Sequence, residues 1–194
     1  MILLASASQA RLRMLKEAGL DVAALPSKAD EAALKQAFSH LPPEALALEL
    51  ATAKALDISA GHPGVLVVGA DQVLDCEGRL FDKPESLKAA REQLLALKGR
   101  THRLISAVVL ARDGEALWRH AEEARLRMRD FSQGFLVAYL EKEGGTALAS
   151  VGAYRIEGLG AQLFESIEGD HFTIQGLPLL ALLEELRHQG EVAA

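Results

Sequence analysis

A chain of 194 residues is long enough for one sizeable core. Its 49% hydrophobic and 25% charged residues exclude disorder as the starting expectation. A formal net charge of -6 provides no global field for nucleic acid or anionic lipid, so a polyanionic ligand needs local cations, a metal ion, or both.

The short apolar run Ile2 to Ala5 predicts a buried strand. Ala5-Ser6-Ala7 has the look of a cleavage site, but the run before it is brief and lacks a basic flank, so no signal peptide is expected. Ser6 to Gln9 predicts a turn. Leu12, Leu15 and Ala18 then recur at helical spacing, and Gly19 sits where a C-terminal cap belongs. The chain thus opens as strand, turn and helix, with Ser8 near the helix start. Pro26 to Glu31 is irregular.

Pro43 suits the first turn of a helix whose Leu46, Leu50, Ala53 and Ile58 share a face, until Gly61-His62-Pro63-Gly64 ends it. Val65 to Val68 predicts a central strand ending at Gly69-Ala70-Asp71. Val73-Leu74 and Arg79-Leu80-Phe81 flank Asp75 to Gly78 as a hairpin. Cys76, the single cysteine, leaves no disulfide within this chain and fits a reducing compartment, so a cytoplasmic location is expected.

Glu85 to Leu97 predicts an amphipathic helix closed by Gly99. His102 to Ala111 and Ala116 to Arg129 predict two strands joined at Asp113-Gly114. Arg125, Arg127 and Arg129 alternate with Leu126 and Met128, which marks the polar face of a half-buried strand rather than a nucleic-acid patch. Ser132 can cap a helix running to about Lys142, Gly144-Gly145 opens a glycine-rich region, and Leu177 to Leu186 makes a last helix. No repeat or linker divides the chain, which predicts one α/β domain over residues 1–194. No apolar stretch approaches the ~20 residues of a membrane span.

Candidate chemistry is dispersed. A helix N-terminus at Ser8 with Arg11 behind it can receive phosphate, or Ser8 can be only a cap and Arg11 a solvated residue. Asp71, beyond an apolar strand, can hold Mg²⁺ or orient a water, or merely begin a turn. Lys83, stiffened by Pro84, offers a point charge for phosphate, or is a surface lysine. Lys54 stands among Ala and Leu and can snorkel to water. Asp30 and Glu31 form an acidic pair suited to a second metal ligand or to plain solvation. No P-loop, dinucleotide fingerprint or serine-hydrolase elbow occurs.

The order of these sites resembles the Maf family of nucleotide pyrophosphatases. The resemblance starts at Leu4-Ala5-Ser6-Ala7-Ser8 with Arg11 and passes through Glu31, Lys54-Ala55 and Gly69-Ala70-Asp71-Gln72. It continues at Asp82-Lys83-Pro84 and Gly99-Arg100-Thr101-His102. Gly152 to Ala161, Ile167-Glu168-Gly169-Asp170 and Gly176-Leu177-Pro178-Leu179 complete it. It implies an α/β fold with a central mixed β-sheet flanked by helices, and two lobes with a cleft.

The implied activity is hydrolysis between the α- and β-phosphates of a nucleoside triphosphate, with Mg²⁺ or Mn²⁺ as cofactor. By the resemblance Ser8, Arg11, Lys54 and Lys83 grip the triphosphate, while Glu31 and Asp71 hold metal and Asp71 positions the water. Gln72 and Glu157 resemble the branch preferring 7-methyl-GTP, whose cationic base suits a carboxylate. Two departures stand out. Gln9-Ala10 replace the usual Pro-Arg, and Ala149-Ser150-Val151 stand where many members have Asp-Lys-Ala. The alternatives are a broad (d)NTP, UTP and dTTP pyrophosphatase, or a non-catalytic nucleotide-binding regulator of cell division. No stable nucleic-acid or membrane partner is expected, and the family admits a homodimer.

Overall fold

In the computed structural model, which describes residues 1–193, Ile2–Leu4 forms strand β1 and Gln9–Glu17 forms helix α1. Ser8 is the N-cap of α1, its hydroxyl accepting from the Arg11 N–H. The remaining strands are β2 (Val22–Ala24), β3 (Val67–Cys76), β4 (Arg79–Phe81), β5 (Thr101–Arg112), β6 (Glu115–Met128) and β7 (Phe164–Glu168). The remaining helices are α2 (Glu31–Ala37), α3 (Pro43–Ser59), α4 (Leu87–Leu97), α5 (Gln133–Glu143), α6 (His171–Ile174) and α7 (Leu179–His188). The sheet runs β2-β1-β3-β5-β6-β7, with β4 also paired to β3. β1 is parallel to β2 and β3, whereas β3–β4 and β6–β7 are antiparallel, so the sheet is mixed.

The chain forms two compact units. The first comprises Met1–Gln72, Ile105–Glu122 and Asp170–Ala194, and the second Val73–Leu104 and Glu123–Gly169. In the first unit, the pleat of β1 and β3 sorts side chains between two packing faces. Leu4, Val68 and Ala70 join a cluster with Met14 and Leu15 of α1 and Leu179, Leu182 and Leu186 of α7. Leu15 and Leu182 have no exposed surface, and such burial stabilises by about 2 kcal/mol per side chain. Leu3 and Val67 face the other way, with Ile58 of α3. Val67, Gly69 and Asp71 of β3 therefore look toward α3.

That contact is unusually close at Gly69. A Cβ there would lie 2.3 Å from the Ala51 carbonyl oxygen and 2.7 Å from the Ala55 Cβ. Glycine lets the α3 backbone rest on the strand, which brings the helix position between Ala53 and Ala55 over Asp71.

Strand β3 does not stop at Asp71 as its composition suggests. It runs on to Cys76 and turns through Glu77-Gly78 into β4. The neighbouring β1 leaves the sheet at Leu4, after the Ala5 N–H donates to the Val68 carbonyl. Asp71 is thus a mid-strand residue just beyond the carboxyl end of a parallel neighbour. Strands β2 and β7 and helices α2 and α6 carry no periodic signal. They are three to seven residues long, too short to show one.

In the second unit the alternation of β6 holds as expected. Leu126 and Met128 are fully buried, while Arg125, Arg127 and Arg129 engage Glu123, Glu165 and the Gln162 carbonyl. His102 of β5 is 1% exposed, and burial pushes its imidazole down from the usual range to about 4. The unfolded chain therefore binds a proton near pH 6.5 that the folded chain refuses until about pH 4. Stability from this group is present above pH ~6.5 and is lost as pH falls toward 4, by about 2 kcal/mol at pH 5. Urea unfolding at pH 7 and pH 5 should show that loss in the parent and not in His102→Gln. Equal pH slopes in the two proteins would refute it.

Candidate active site

The buried ammonium of Lys54, on α3, lies 2.6 Å from Asp71 Oδ1 and 2.9 Å from Glu31 Oε1. Lys54 and Asp71 are both under a tenth exposed, whereas the Glu31 side chain is half exposed. The lysine does not snorkel: with Gly69 beneath α3, its stem is covered and its charge is drawn inward to two carboxylates. Glu31 is the first residue of α2, whose N-cap Asp30 accepts from the Ala33 N–H. Asp30 is thus engaged in capping while Glu31 reaches the lysine.

Arg11 is buried rather than solvated. Its Nε donates to the Gly176 carbonyl at 2.7 Å, and Nη1 donates to the Ala70 carbonyl at 2.9 Å and to Ser6 Oγ at 3.2 Å. Burial lowers its pKa, and the charges of Asp71 and Glu31 oppose that shift. Gly176 has φ +104, and a Cβ there would come within 3.3 Å of the guanidinium. The arginine therefore ties α1, β3 and the segment before α7 together, one residue from Asp71.

Gln72 points to the face opposite Asp71. Its Nε2 donates to Ser106 Oγ at 3.0 Å and to the Thr173 and Ile174 carbonyls at 3.1 Å each. Carbonyls can only accept, so the amide nitrogen must face them and the amide oxygen must face away. Ser106 and Thr173 were missed by sequence reasoning. The only signal was a polar residue inside the apolar run of β5, and for Thr173 there was none.

The first unit thus brings two acids and one lysine into direct contact, with an arginine beside them. Opposed carboxylates sharing one ammonium also suit a divalent cation, since Mg²⁺ commonly takes one or two carboxylates and completes its shell from substrate oxygens and water. A larger protein cage is not present: no group of three or more His, Cys, Asp or Glu suited to a metal occurs among the described residues.

A family model described as Maf-like protein matches residues 1–189. The chain belongs to the Maf family. It is 53% identical over 192 residues to a protein of Paramagnetospirillum magneticum named nucleoside triphosphate pyrophosphatase, covering 98% of this chain and 99% of the relative. It is 54% identical over 193 residues to a 7-methyl-GTP pyrophosphatase of Mesorhizobium japonicum, covering 98% and 97%. A 7-methyl-GTP pyrophosphatase of Brucella abortus is 49% identical over 190 residues, covering 97% and 96%.

The other residues that the Maf resemblance singles out lie in the second unit. Lys83 is exposed in the segment from β4 to α4, before buried Pro84, and the preceding Asp82 carbonyl accepts from Gln93 Nε2 at 2.8 Å. Glu157 is exposed in a turn closed by the Gly158 N–H donating to the Arg155 carbonyl at 3.2 Å. Among the described residues no helix is long and apolar enough to cross a membrane.

Proposed function

We propose that this chain is a nucleoside triphosphate pyrophosphatase, releasing a nucleoside monophosphate and pyrophosphate and so clearing non-standard nucleotides. The observation that carries it is the Asp71–Lys54–Glu31 bridge in a chain about half identical, nearly end to end, to proteins named for that activity.

The reaction needs water aligned with a phosphorus atom, charge neutralisation on the phosphate oxygens, and no covalent nucleophile. Asp71 takes the proton of the attacking water as the anhydride bond breaks and pyrophosphate departs with the bridging oxygen. Lys54 fixes the rotamer of Asp71 and supplies positive charge at the same place. Mg²⁺ or Mn²⁺, held by Asp71 and Glu31, would withdraw negative charge from the phosphate oxygens. Ser8 at the α1 N-terminus and Lys83 are our further phosphate ligands. Arg11 has Nε and Nη1 engaged within the protein, which leaves Nη2 for a phosphate oxygen.

Base preference follows the acceptor character of two side chains. Gln72 can offer only its amide oxygen, and Glu157 is acceptor-only when ionised. A guanine edge supplies donors, and a 7-methyl group adds positive charge that a carboxylate offsets. We therefore favour 7-methyl-GTP, as in the relatives so named. The relative bearing only the general name favours a broad (d)NTP range as the second reading. We take the protein to act in the cytoplasm, with residues 1–194 as one functional domain and a homodimer as the assembly to test first.

Product analysis with 7-methyl-GTP, GTP, dTTP and UTP, each with Mg²⁺ and Mn²⁺, tests the reading. Pyrophosphate and monophosphate are expected, with kcat/KM at least about tenfold higher for 7-methyl-GTP than for dTTP or UTP. Orthophosphate and diphosphate as products would refute the reaction. Comparable turnover of all four nucleotides would refute the preference.

A further inference from the structure

The segment Gly152 to Gly160 is held by contacts that hydrolysis itself does not require. Tyr154 is buried, and its hydroxyl lies 2.6 Å from Nε2 of His102 on β5. Its ring meets Phe164 edge-on at 4.8 Å and His102 at 5.6 Å. His102 Nδ1 is buried with no hydrogen-bond partner, so the tyrosine hydroxyl is the hydrogen bond that this imidazole makes. One residue on, Arg155 Nη2 contacts Glu143 Oε2 at 3.2 Å, and Thr146 Oγ1 donates to the same oxygen at 2.5 Å.

The backbone on either side of these anchors has no slack. A Cβ on Gly160 would lie 2.4 Å from the Arg155 carbonyl oxygen, and one on Gly152 would lie 2.7 Å from both Leu74 and the Tyr154 ring. Consecutive anchored residues thus lead directly to Ile156 and the exposed Glu157. A buried hydrogen bond, a buried carboxylate and two crowded glycines hold a loop whose outermost charged group is a single carboxylate. That arrangement fixes a recognition group in advance of its ligand, which limits the ordering cost of binding.

We infer that His102 is a positioning residue for nucleotide selectivity: its hydrogen bond to Tyr154 sets the loop that presents Glu157, with Glu143 and Arg155 as the second anchor. The inference rests on the reading of Glu157 as a contact to the base. The role differs from general scaffolding in what it moves, which is KM for the preferred nucleotide and not kcat.

The test measures kcat and KM for 7-methyl-GTP and dTTP in Tyr154→Phe, His102→Leu, His102→Gln, Glu157→Gln and the double variant Tyr154→Phe/Glu157→Gln. Tyr154→Phe keeps the ring and removes the hydroxyl; it should raise KM for 7-methyl-GTP about tenfold, with kcat within about twofold and dTTP little changed. His102→Leu should do the same and serves if Tyr154→Phe fails to fold. His102→Gln retains a polar partner for the hydroxyl and should recover most of the affinity. The double variant should be no worse than Glu157→Gln, because both changes act through one group. Normal KM values in Tyr154→Phe and His102→Leu, alongside a raised KM in Glu157→Gln, would overturn the inference alone. An unaffected Glu157→Gln would overturn the base reading and the inference with it.

Discussion

Asp71→Asn is expected to lower kcat by about a thousandfold while nucleotide affinity stays within a fewfold. The amide is isosteric, so packing of the buried site survives. What goes is the negative charge that faces Lys54 at 2.6 Å and that would accept a proton from water. An asparagine can still accept a hydrogen bond from the ammonium, which keeps Lys54 in place, but it cannot act as a base at neutral pH. Steady-state pyrophosphate release together with equilibrium binding of the nucleotide separates the two effects. Near-normal turnover would assign the base elsewhere, with Glu31 the next residue to test.

Lys54→Met should abolish most activity and also destabilise the fold by about 3 kcal/mol. Methionine matches the length of the lysine stem and fills the space against α3 and β3, so a cavity does not explain the loss. The cost comes from Asp71, which is 5% exposed and would lose its nearest cation. The figure is at the lower end of the range for breaking a buried pair for two reasons. Arg11 still acts on Asp71 electrostatically, and half-exposed Glu31 can turn to water. The double variant Lys54→Met/Asp71→Asn should regain part of the stability, since neither charge is then stranded. Urea titrations of the four proteins measure the coupling. A single Lys54→Met variant as stable as the parent would show that the bridge contributes nothing to folding.

Much of this site was legible one residue at a time but not as a site. Ser8 was readable as a cap because small hydroxyl residues before a periodic apolar stretch have a local physical role. The alternation Arg125-Leu126-Arg127-Met128 fixed a strand for the same local reason. Lys54 and Arg11 carried no such signal. Each is a cation on a helix, and helix periodicity allows a long charged side chain to reach solvent as easily as to turn inward. Only the order of motifs along the chain suggested a shared purpose, and that was a likeness rather than a derivation. The short elements β2, β7 and α6 were invisible because three to five residues do not establish a period.

By itself the sequence determined the alternation of strands and helices, the caps and turns that bound them, and the pairing of apolar faces. Those features arise from neighbours within a few residues, where backbone geometry fixes which side chains lie together. Tertiary structure decided the rest. It extended β3 past Asp71 after β1 left the sheet, and pressed α3 against Gly69 so that Lys54 met two carboxylates. It also closed His102 onto Tyr154 across 52 positions of chain. Contacts between distant residues depend on how whole elements pack, and no local pattern encodes the side to which a long charged side chain will turn.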